Sequence, residues 1–303
     1  MMKEVLVYQI DSFTKEKFKG NPAGVVLNAE NLTTSEMQLI ARELNNSETA
    51  FVFRPTTREQ NFEYHVRYFT PTTEVPSCGH ATIAALYAKA MEDQLDSCTI
   101  RIMTQIGILP IRIEKQDHDY QITMTQGRFE LSPAFDPLTT QNIVHALGLI
   151  MEDLDEKCPV QIASTGHSKV MIGIKSRNTL NHLQPDLMAL AQLSKVISCN
   201  GYFVFTFDSD DKEILTYGRM FAPAIGISED PVTGNANGPL GGYLIQNKII
   251  SITEDIFKFI GKQGEAINRI GKVQVEVRVK GSTPNIVSIT GNAVSVFRTV
   301  MYI

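Results

Sequence analysis

The chain has 303 residues, a length that suits two domains of about 150 residues each rather than one small core. Hydrophobic residues make up 43% and charged residues 20%, which excludes a disordered or fibrous chain. The net charge of −5, with a pI near 5.7, argues against nucleic acid and acidic membrane surfaces as partners.

No apolar run approaches the ~20 residues that a membrane helix needs. Residues 1–13 carry Glu4 and Asp11 and no small-residue cleavage site, so they do not read as a signal peptide. Cys78, Cys98, Cys158 and Cys199 are far apart, with no CxxC pair. Neither a disulfide framework nor a zinc site is expected, and the expected compartment is the reducing cytoplasm.

In chain order, residues 8–13 and 23–27 read as strands separated by a Gly20-Asn21-Pro22 turn. Thr33 followed by Glu36 predicts a capping box, and Met37, Ile40, Ala41 and Leu44 continue at helical spacing until Asn45-Asn46 ends the run. Residues 49–53 and 64–69 read as strands. In the second half Pro185 is expected to open a helix through Leu190 and Leu193, and residues 202–207 form the next strand. Helices mixed with many strands, without regular βαβ alternation, predict an α+β fold. The stretch 127–137, with two prolines, is the expected crossing between halves, and strands near 286–289 and 294–297 are expected to return to the first. The expected domains are therefore residues 1–127 with about 287–303, and about 128–286.

The two halves follow one plan. Phe51-Val52-Phe53 recurs 152 residues later as Phe203-Val204-Phe205, and Arg67-x-Phe69-x-Pro71 recurs at the same offset as Arg219-x-Phe221-x-Pro223. After three inserted residues, Gly79-His80-Ala81 is answered by Gly234-Asn235-Ala236. Matches sharing one offset are best explained by internal duplication.

Residues 81–91 and 236–246 are apolar on nearly all sides, and the second segment carries three glycines. A helix without a polar face must be enclosed, so each is expected to be wrapped by the sheet of its own half. A glycine-containing turn precedes each one, with Cys78 and Gly79 in the first and Thr233, Gly234 and Asn235 in the second. The backbone N–H groups and positive dipole ends there would bind a carboxylate or phosphate, and two facing halves would bring both ends to one ligand. The plain alternative is a pair of capped buried helices.

Chemistry is expected where the copies differ. Glu48 enters an apolar strand, while its counterpart by the 152-residue offset is neutral Asn200. A partly desolvated carboxylate there suits a general acid or base. Asp230, in Glu229-Asp230-Pro231, falls in the insertion, where a turn role is the simpler alternative. His80 stands at the predicted ligand end of the first enclosed helix, able to donate a hydrogen bond or shuttle a proton. His65, His118, His145, His167 and His182 show no ligand spacing. There is no GxGxxG after a strand, no Walker loop and no clustered metal ligands, so neither a cofactor nor a metal is expected.

The string FTPTTEVPSCGHAT at 69–82, Asn46-Ser47-Glu48-Thr49 before it, and RMFAPAIGISEDPVTGNANGPLGGYL at 219–244 resemble the phenazine-biosynthesis PhzF family. Gly20-Asn21-Pro22-Ala23, Lys262-Gln263-Gly264 and Arg269-x-Gly271 extend the likeness over nearly the whole chain. The resemblance implies a diaminopimelate-epimerase-like fold: two pseudo-symmetric halves, each a rolled mixed sheet around a central helix, with the active site in the cleft between them. It implies cofactor-independent isomerisation like that of trans-2,3-dihydro-3-hydroxyanthranilate, in which a glutamate moves a proton with help from a histidine and an aspartate. By motif position these are Glu48, His80 and Asp230, and backbone groups near Gly79 and Gly234 hold the substrate carboxylate. Asn235 stands where the family pattern has serine, which leaves the substrate open. The family also makes a homodimer an expectation.

Two other readings stay open. Epimerases and racemases of this fold use two facing cysteines; Cys78 holds the first such place, but Thr233 holds the second, and its hydroxyl is a weak base unaided. A non-catalytic clamp for a small carboxylate metabolite is the other, against which stands the negative charge of Glu48.

Overall fold

A computed structural model describes residues 3–55, 61–252, 254–281 and 283–303. The fold is mixed α+β, and it divides into one unit of Met1–Thr125 with Thr290–Ile303 and another of Gln126–Ile289.

The first unit runs β1 (Glu4–Ser12), β2 (Asn21–Leu27), α1 (Thr34–Leu44), β3 (Thr49–Phe53), β4 (Tyr64–Phe69), β5 (Glu74–Val75), α2 (Gly79–Asp93), β6 (Cys98–Thr104), β7 (Gly107–Gln116) and β8 (Asp119–Thr125). β1 pairs antiparallel with β2, β2 parallel with β3, and β3 antiparallel with β4. β4 then pairs antiparallel with β5 and parallel with β6, and β6, β7 and β8 follow as an antiparallel meander.

The second unit repeats that order. It contains β9 (Glu130–Ala134), α3 (Pro137–Ala146), β10 (Gln161–Ser164), β11 (Lys169–Ile174), α4 (Arg177–Asn181), α5 (Leu187–Ile197) and β12 (Tyr202–Thr206). β13 (Ile214–Ala222), β14 (Ile227–Asp230), α6 (Gly234–Gln246), β15 (Ile256–Gln263) and β16 (Gly271–Lys280) follow. β10 is antiparallel to β11, β11 parallel to β12, β12 antiparallel to β13, β13 antiparallel to β14 and parallel to β15, and β15 antiparallel to β16. Strand for strand this is β1 through β7 again, with α5 in the place of α1 and α6 in that of α2. The internal duplication is thus written in the hydrogen-bonding order of each sheet, although the Phe-Val-Phe match is out of register by one: Phe51 pairs with Arg67 as Val204, not Phe203, pairs with Arg219.

Local chemistry explains the element ends. Thr33 and Glu36 form the expected capping box: the Thr33 hydroxyl accepts from the Glu36 N–H, and the Glu36 carboxylate accepts from the Thr33 N–H. Asn45, at φ 51°, ends α1 in the left-handed region that asparagine tolerates. Pro185 lies outside α5, because Asp186 is the cap, its carboxylate accepting from the N–H groups of Met188 and Ala189. Residues 127–137 are not a bare crossing, since they carry β9. The ladder of β9 skips past Pro133, and there the Ser132 hydroxyl accepts from the Ile162 N–H instead. The two short strands expected near the end are one, β17 (Thr283–Tyr302), whose residues from Thr290 on belong to the first unit and pair antiparallel with β1.

Both apolar helices are enclosed. Every residue of α2 from His80 to Ala90 is buried, as are Gly234 and every residue from Ala236 to Ile245 of α6. Small residues are needed because neighbours sit almost on the helix backbone. A Cβ added at Gly242 would lie 2.4 Å from the Phe129 ring, and one at Gly241 2.6 Å from Val277 Cγ2. Beside these helices each unit repeats a bidentate ion pair: Arg67 with Glu74 at 2.7 and 2.8 Å, and Arg219 with Glu229 at 2.9 and 2.7 Å. Each guanidinium also stands over the phenylalanine two residues on, Phe69 or Phe221. No helix of the described residues is long and apolar enough to cross a membrane.

Candidate active site

In the first unit the residues singled out from sequence come together at the start of α2. Glu48 immediately precedes β3, and its carbonyl accepts from the Gly24 N–H at 3.3 Å, which extends the parallel β2–β3 ladder by one residue. Backbone pairing therefore fixes where its side chain starts, and that side chain is 14% exposed. His80, the second residue of α2, is buried and placed from below by the Ser12 hydroxyl, which donates to the His80 carbonyl at 2.8 Å.

The imidazole meets three groups. Its Nε2 lies 3.5 Å from Glu48 Oε2 and 3.3 Å from Ser47 Oγ, while Nδ1 lies 3.4 Å from Cys78 Sγ. A thiol on one nitrogen and a carboxylate on the other can pass a proton either way along the ring. Cys78 is the N-cap of α2 in an extended conformation, its side chain makes no capping bond, and its carbonyl accepts from the Thr82 N–H and hydroxyl. The Thr82 hydroxyl in turn meets Tyr68 Oη at 2.6 Å, deep in the core. Glu48, Cys78, Gly79 and His80 are thus neighbours. Ser47 joins them unannounced, since a serine beside a glutamate carries no distinguishing signal in one sequence. The donor atoms of Glu48, Cys78 and His80 all lie within 4.8 Å of one another, a set whose chemistry could also hold a thiophilic divalent cation.

The second unit gathers its own set at the start of α6. Asp230 ends β14 and is buried. The Thr233 hydroxyl donates a short hydrogen bond to Asp230 Oδ2 and accepts from Gln263 Nε2 at 3.1 Å. Gln263 accepts from the Thr233 N–H at 3.1 Å and donates to the Asp230 carbonyl at 2.8 Å. Asn237 completes the net, donating to the Thr233 carbonyl and to Gln263 Oε1. The Asp230 carboxylate is thus held through the Thr233 hydroxyl, and Gln263 and Asn237 fix Thr233 in turn. Gln263, 1% exposed, is the organiser that sequence reasoning left unassigned, although it stood in the Lys262-Gln263-Gly264 string. Gly264 must be glycine: its φ is +88°, and a Cβ there would lie 2.1 Å from the Arg269 carbonyl oxygen. Asn235, with φ −82° and ψ 17°, breaks the helical geometry one residue after Gly234.

Sheet register corrects two correspondences drawn from the constant offset. Thr49 pairs with Phe69 and Tyr202 with Phe221, and the Val170 N–H donates to the Gly201 carbonyl as the Gly24 N–H does to that of Glu48. The counterpart of Glu48 is therefore Gly201, not Asn200; the spacing slips by one between α5 and β12. Tyr68 pairs with Val75 and Met220 with Asp230, so Asp230 replaces Val75 and lies outside the insertion. The added residues fall in the turn around the 3-10 helix Pro223–Ile225. One unit thus carries Glu48 where the other has glycine, and the second carries Asp230 where the first has valine.

Comparison with known proteins agrees with this architecture. The family model for phenazine biosynthesis-like proteins matches residues 10–299. A Clostridium acetobutylicum protein named as an uncharacterized isomerase is 56% identical over 99% of this chain and 98% of its own. The trans-2,3-dihydro-3-hydroxyanthranilate isomerase of Pseudomonas aeruginosa is 29% identical over 93% of this chain and 94% of its own. Among solved structures, the Bacillus anthracis phenazine biosynthesis protein of the PhzF family superposes with a TM-score of 0.89 at 30% identity, covering 99% of this chain and all of that one.

Proposed function

This chain belongs to the phenazine biosynthesis-like protein family and is an isomerase, and we propose that it moves a proton within a small, cyclic carboxylate with Glu48 as general acid and base and without a cofactor. The observation that carries the reading is the contact between Glu48 and His80, 3.5 Å from Oε2 to Nε2, at the start of an enclosed helix. As a carboxylate, Glu48 takes a proton from one carbon of the substrate; as the acid so formed, it returns that proton to another carbon of the same molecule, so the protein ends unchanged. His80 stabilises the carboxylate form of Glu48 before the first transfer and after the second. The N–H groups that open α2 at Gly79 and α6 at Gly234 are assigned to carboxylate binding, because an anion is favoured at a helix start. Asp230 is assigned the orientation of the substrate by motif position. The four cysteines are all free thiols, which suits the proposed cytoplasmic setting.

An epimerase-like inversion needs a second base, and Thr233 is poorly placed to be one. Its hydroxyl already donates to Asp230 and accepts from Gln263. The test is proton exchange in deuterated water with trans-2,3-dihydro-3-hydroxyanthranilate and a panel of cyclic and acyclic amino and hydroxy acids, after a thermal-shift screen for binding. Deuterium entering a bound acid, and failing to enter with Glu48→Gln, is the expected result. Stabilisation by the acids without exchange would mean a binder, and exchange that survives Glu48→Gln but not Cys78→Ser would mean thiol chemistry.

A further inference from the structure

No ligand spacing marks Glu48, Cys78 and His80 in the chain, yet folding of the first unit makes them one set. Among the described residues they are the three metal-ligating side chains whose donor atoms come within 4.8 Å of one another. Each is anchored separately. The β2–β3 ladder holds the carbonyl of Glu48, Cys78 is the N-cap of α2, and the Ser12 hydroxyl holds the carbonyl of His80. Cys78 and His80 are each 7% exposed and the Glu48 side chain 14%, so the set is largely but not wholly enclosed. Proton transfer by a carboxylate leaves Cys78 without a task, and its side chain makes no capping bond.

The donors are a sulfur, an imidazole nitrogen and a carboxylate oxygen. Zinc and similar soft or borderline cations favour that mixture, whereas magnesium and calcium favour oxygen alone. A tetrahedral zinc ion, with bonds of about 2.0–2.3 Å, holds such ligand atoms about 3.3–3.6 Å apart. Here Cys78 Sγ lies 3.4 Å from His80 Nδ1, and Glu48 Oε2 lies 3.5 Å from Nε2. One ion takes one ring nitrogen, so one of the other two donors must close in by about 1 Å from the 4.8 Å limit. Rotation of the flexible Glu48 side chain about its own bonds spans that gap. On binding, each donor gives the ion a lone pair, the thiol proton passes to water, and the fourth position is left to a water molecule. The helix start favours the thiolate that this requires.

We propose that Glu48, Cys78 and His80 form a binding site for a thiophilic divalent cation, zinc foremost, which occupies it as an inhibitor and not as a cofactor. Occupancy depends on the three donors alone. Inhibition rests on the assignment of proton transfer to Glu48 made above, because a carboxylate oxygen bonded to a metal no longer takes a proton from carbon.

The test is titration of the full chain, reduced and metal-free, with cobalt(II) chloride, followed through the thiolate-to-cobalt charge-transfer band in the near ultraviolet. In the wild type one equivalent of cobalt should raise the band, and zinc chloride should bleach it while magnesium chloride should not. Cys78→Ser should abolish the band. Glu48→Gln and His80→Ala should each weaken cobalt binding by at least about 10-fold, the least that even a partner of a metal ligand is worth. Cys98→Ser, which replaces a half-buried thiol outside the set, should leave the band intact. A wild type without the band overturns the proposal, and that result needs no variant to fold. A band that persists in Cys78→Ser, or that magnesium bleaches, overturns it as well. In the exchange assay zinc should stop deuterium entry and EDTA should restore it; exchange that continues with zinc bound overturns the inhibitory role. Should no acid exchange at all, the reading of Glu48 fails while the cobalt band still decides the site.

Discussion

Glu48 Oε2 lies 3.5 Å from His80 Nε2, and the opposite nitrogen of the same ring lies 3.4 Å from Cys78 Sγ. The carboxylate thus has a titratable neighbour at hand and a backbone position fixed by the β2–β3 ladder. Glu48→Gln keeps shape and hydrogen-bonding reach but cannot carry a proton. It should lower exchange by roughly 10²–10⁴-fold, the usual worth of a positioned acid or base, while ligand-induced stabilisation persists. Unimpaired exchange in this variant would remove Glu48 from the mechanism. His80→Ala and Asp230→Asn should each lower exchange by a smaller factor.

Cys78 separates proton transfer by carboxylate from proton transfer by thiol. Its sulfur touches the ring rather than capping the helix, so Cys78→Ser keeps a polar atom beside Nδ1. That variant should retain exchange within about 10-fold of wild type, a loss well below that of removing a catalytic base. The measurement is the ratio of exchange rates in Cys78→Ser and Glu48→Gln; a greater loss in the serine variant would place the base on sulfur.

Much of this was legible in the chain because its signals are local or repeated. The Thr33–Glu36 box, the strands 49–53 and 64–69, and the two helices without a polar face each follow from a few consecutive residues, and all appear where expected. Glu48, Cys78, Gly79 and His80 were found together because two of them flank a glycine turn and the third breaks an apolar strand. What a constant offset could not supply was register. A single-residue slip before β12 turns the partner of Glu48 from Asn200 into Gly201, and sequence periodicity carries no mark of it. Gln263 was missed for a related reason: from β15 it meets Thr233, the cap of α6, thirty residues away in the chain.

The two repeated ion pairs predict unequal losses. Arg219 is 8% exposed and also donates to the carbonyls of Leu180 and Leu183, both at 3.0 Å, whereas the Arg67 side chain is 21% exposed. Arg219→Met strands the largely enclosed Glu229, 12% exposed, and two carbonyls and should cost about 3–5 kcal/mol. Arg67→Met leaves Glu74 within reach of water and should cost roughly 1–3 kcal/mol. Chemical denaturation of the two variants measures the difference; equal losses would show that the second pair is not the more tightly built.

Lys3 and the capping turn predict where acid weakens the first unit. The Lys3 ammonium lies 2.7 Å from Glu36, and together with the Thr33 N–H and hydroxyl it holds the Glu36 carboxyl down at about 2. A carboxyl depressed in the folded state binds fewer protons there than in the unfolded chain, so its contribution is complete above its ordinary value of 4.5 and fades as pH falls toward 2. Glu36→Gln should therefore melt below wild type at neutral pH, and the gap should close between those two values. Lys3→Met should narrow the window from its acid end, since the ammonium is the largest cause of the depression. Other depressed carboxyls, Glu74, Glu265 and Glu276 among them, weaken the wild type and both variants alike. The difference in melting temperature against pH isolates Glu36, and a gap that stays constant down to pH 2 would show that the box holds by hydrogen bonding without regard to charge.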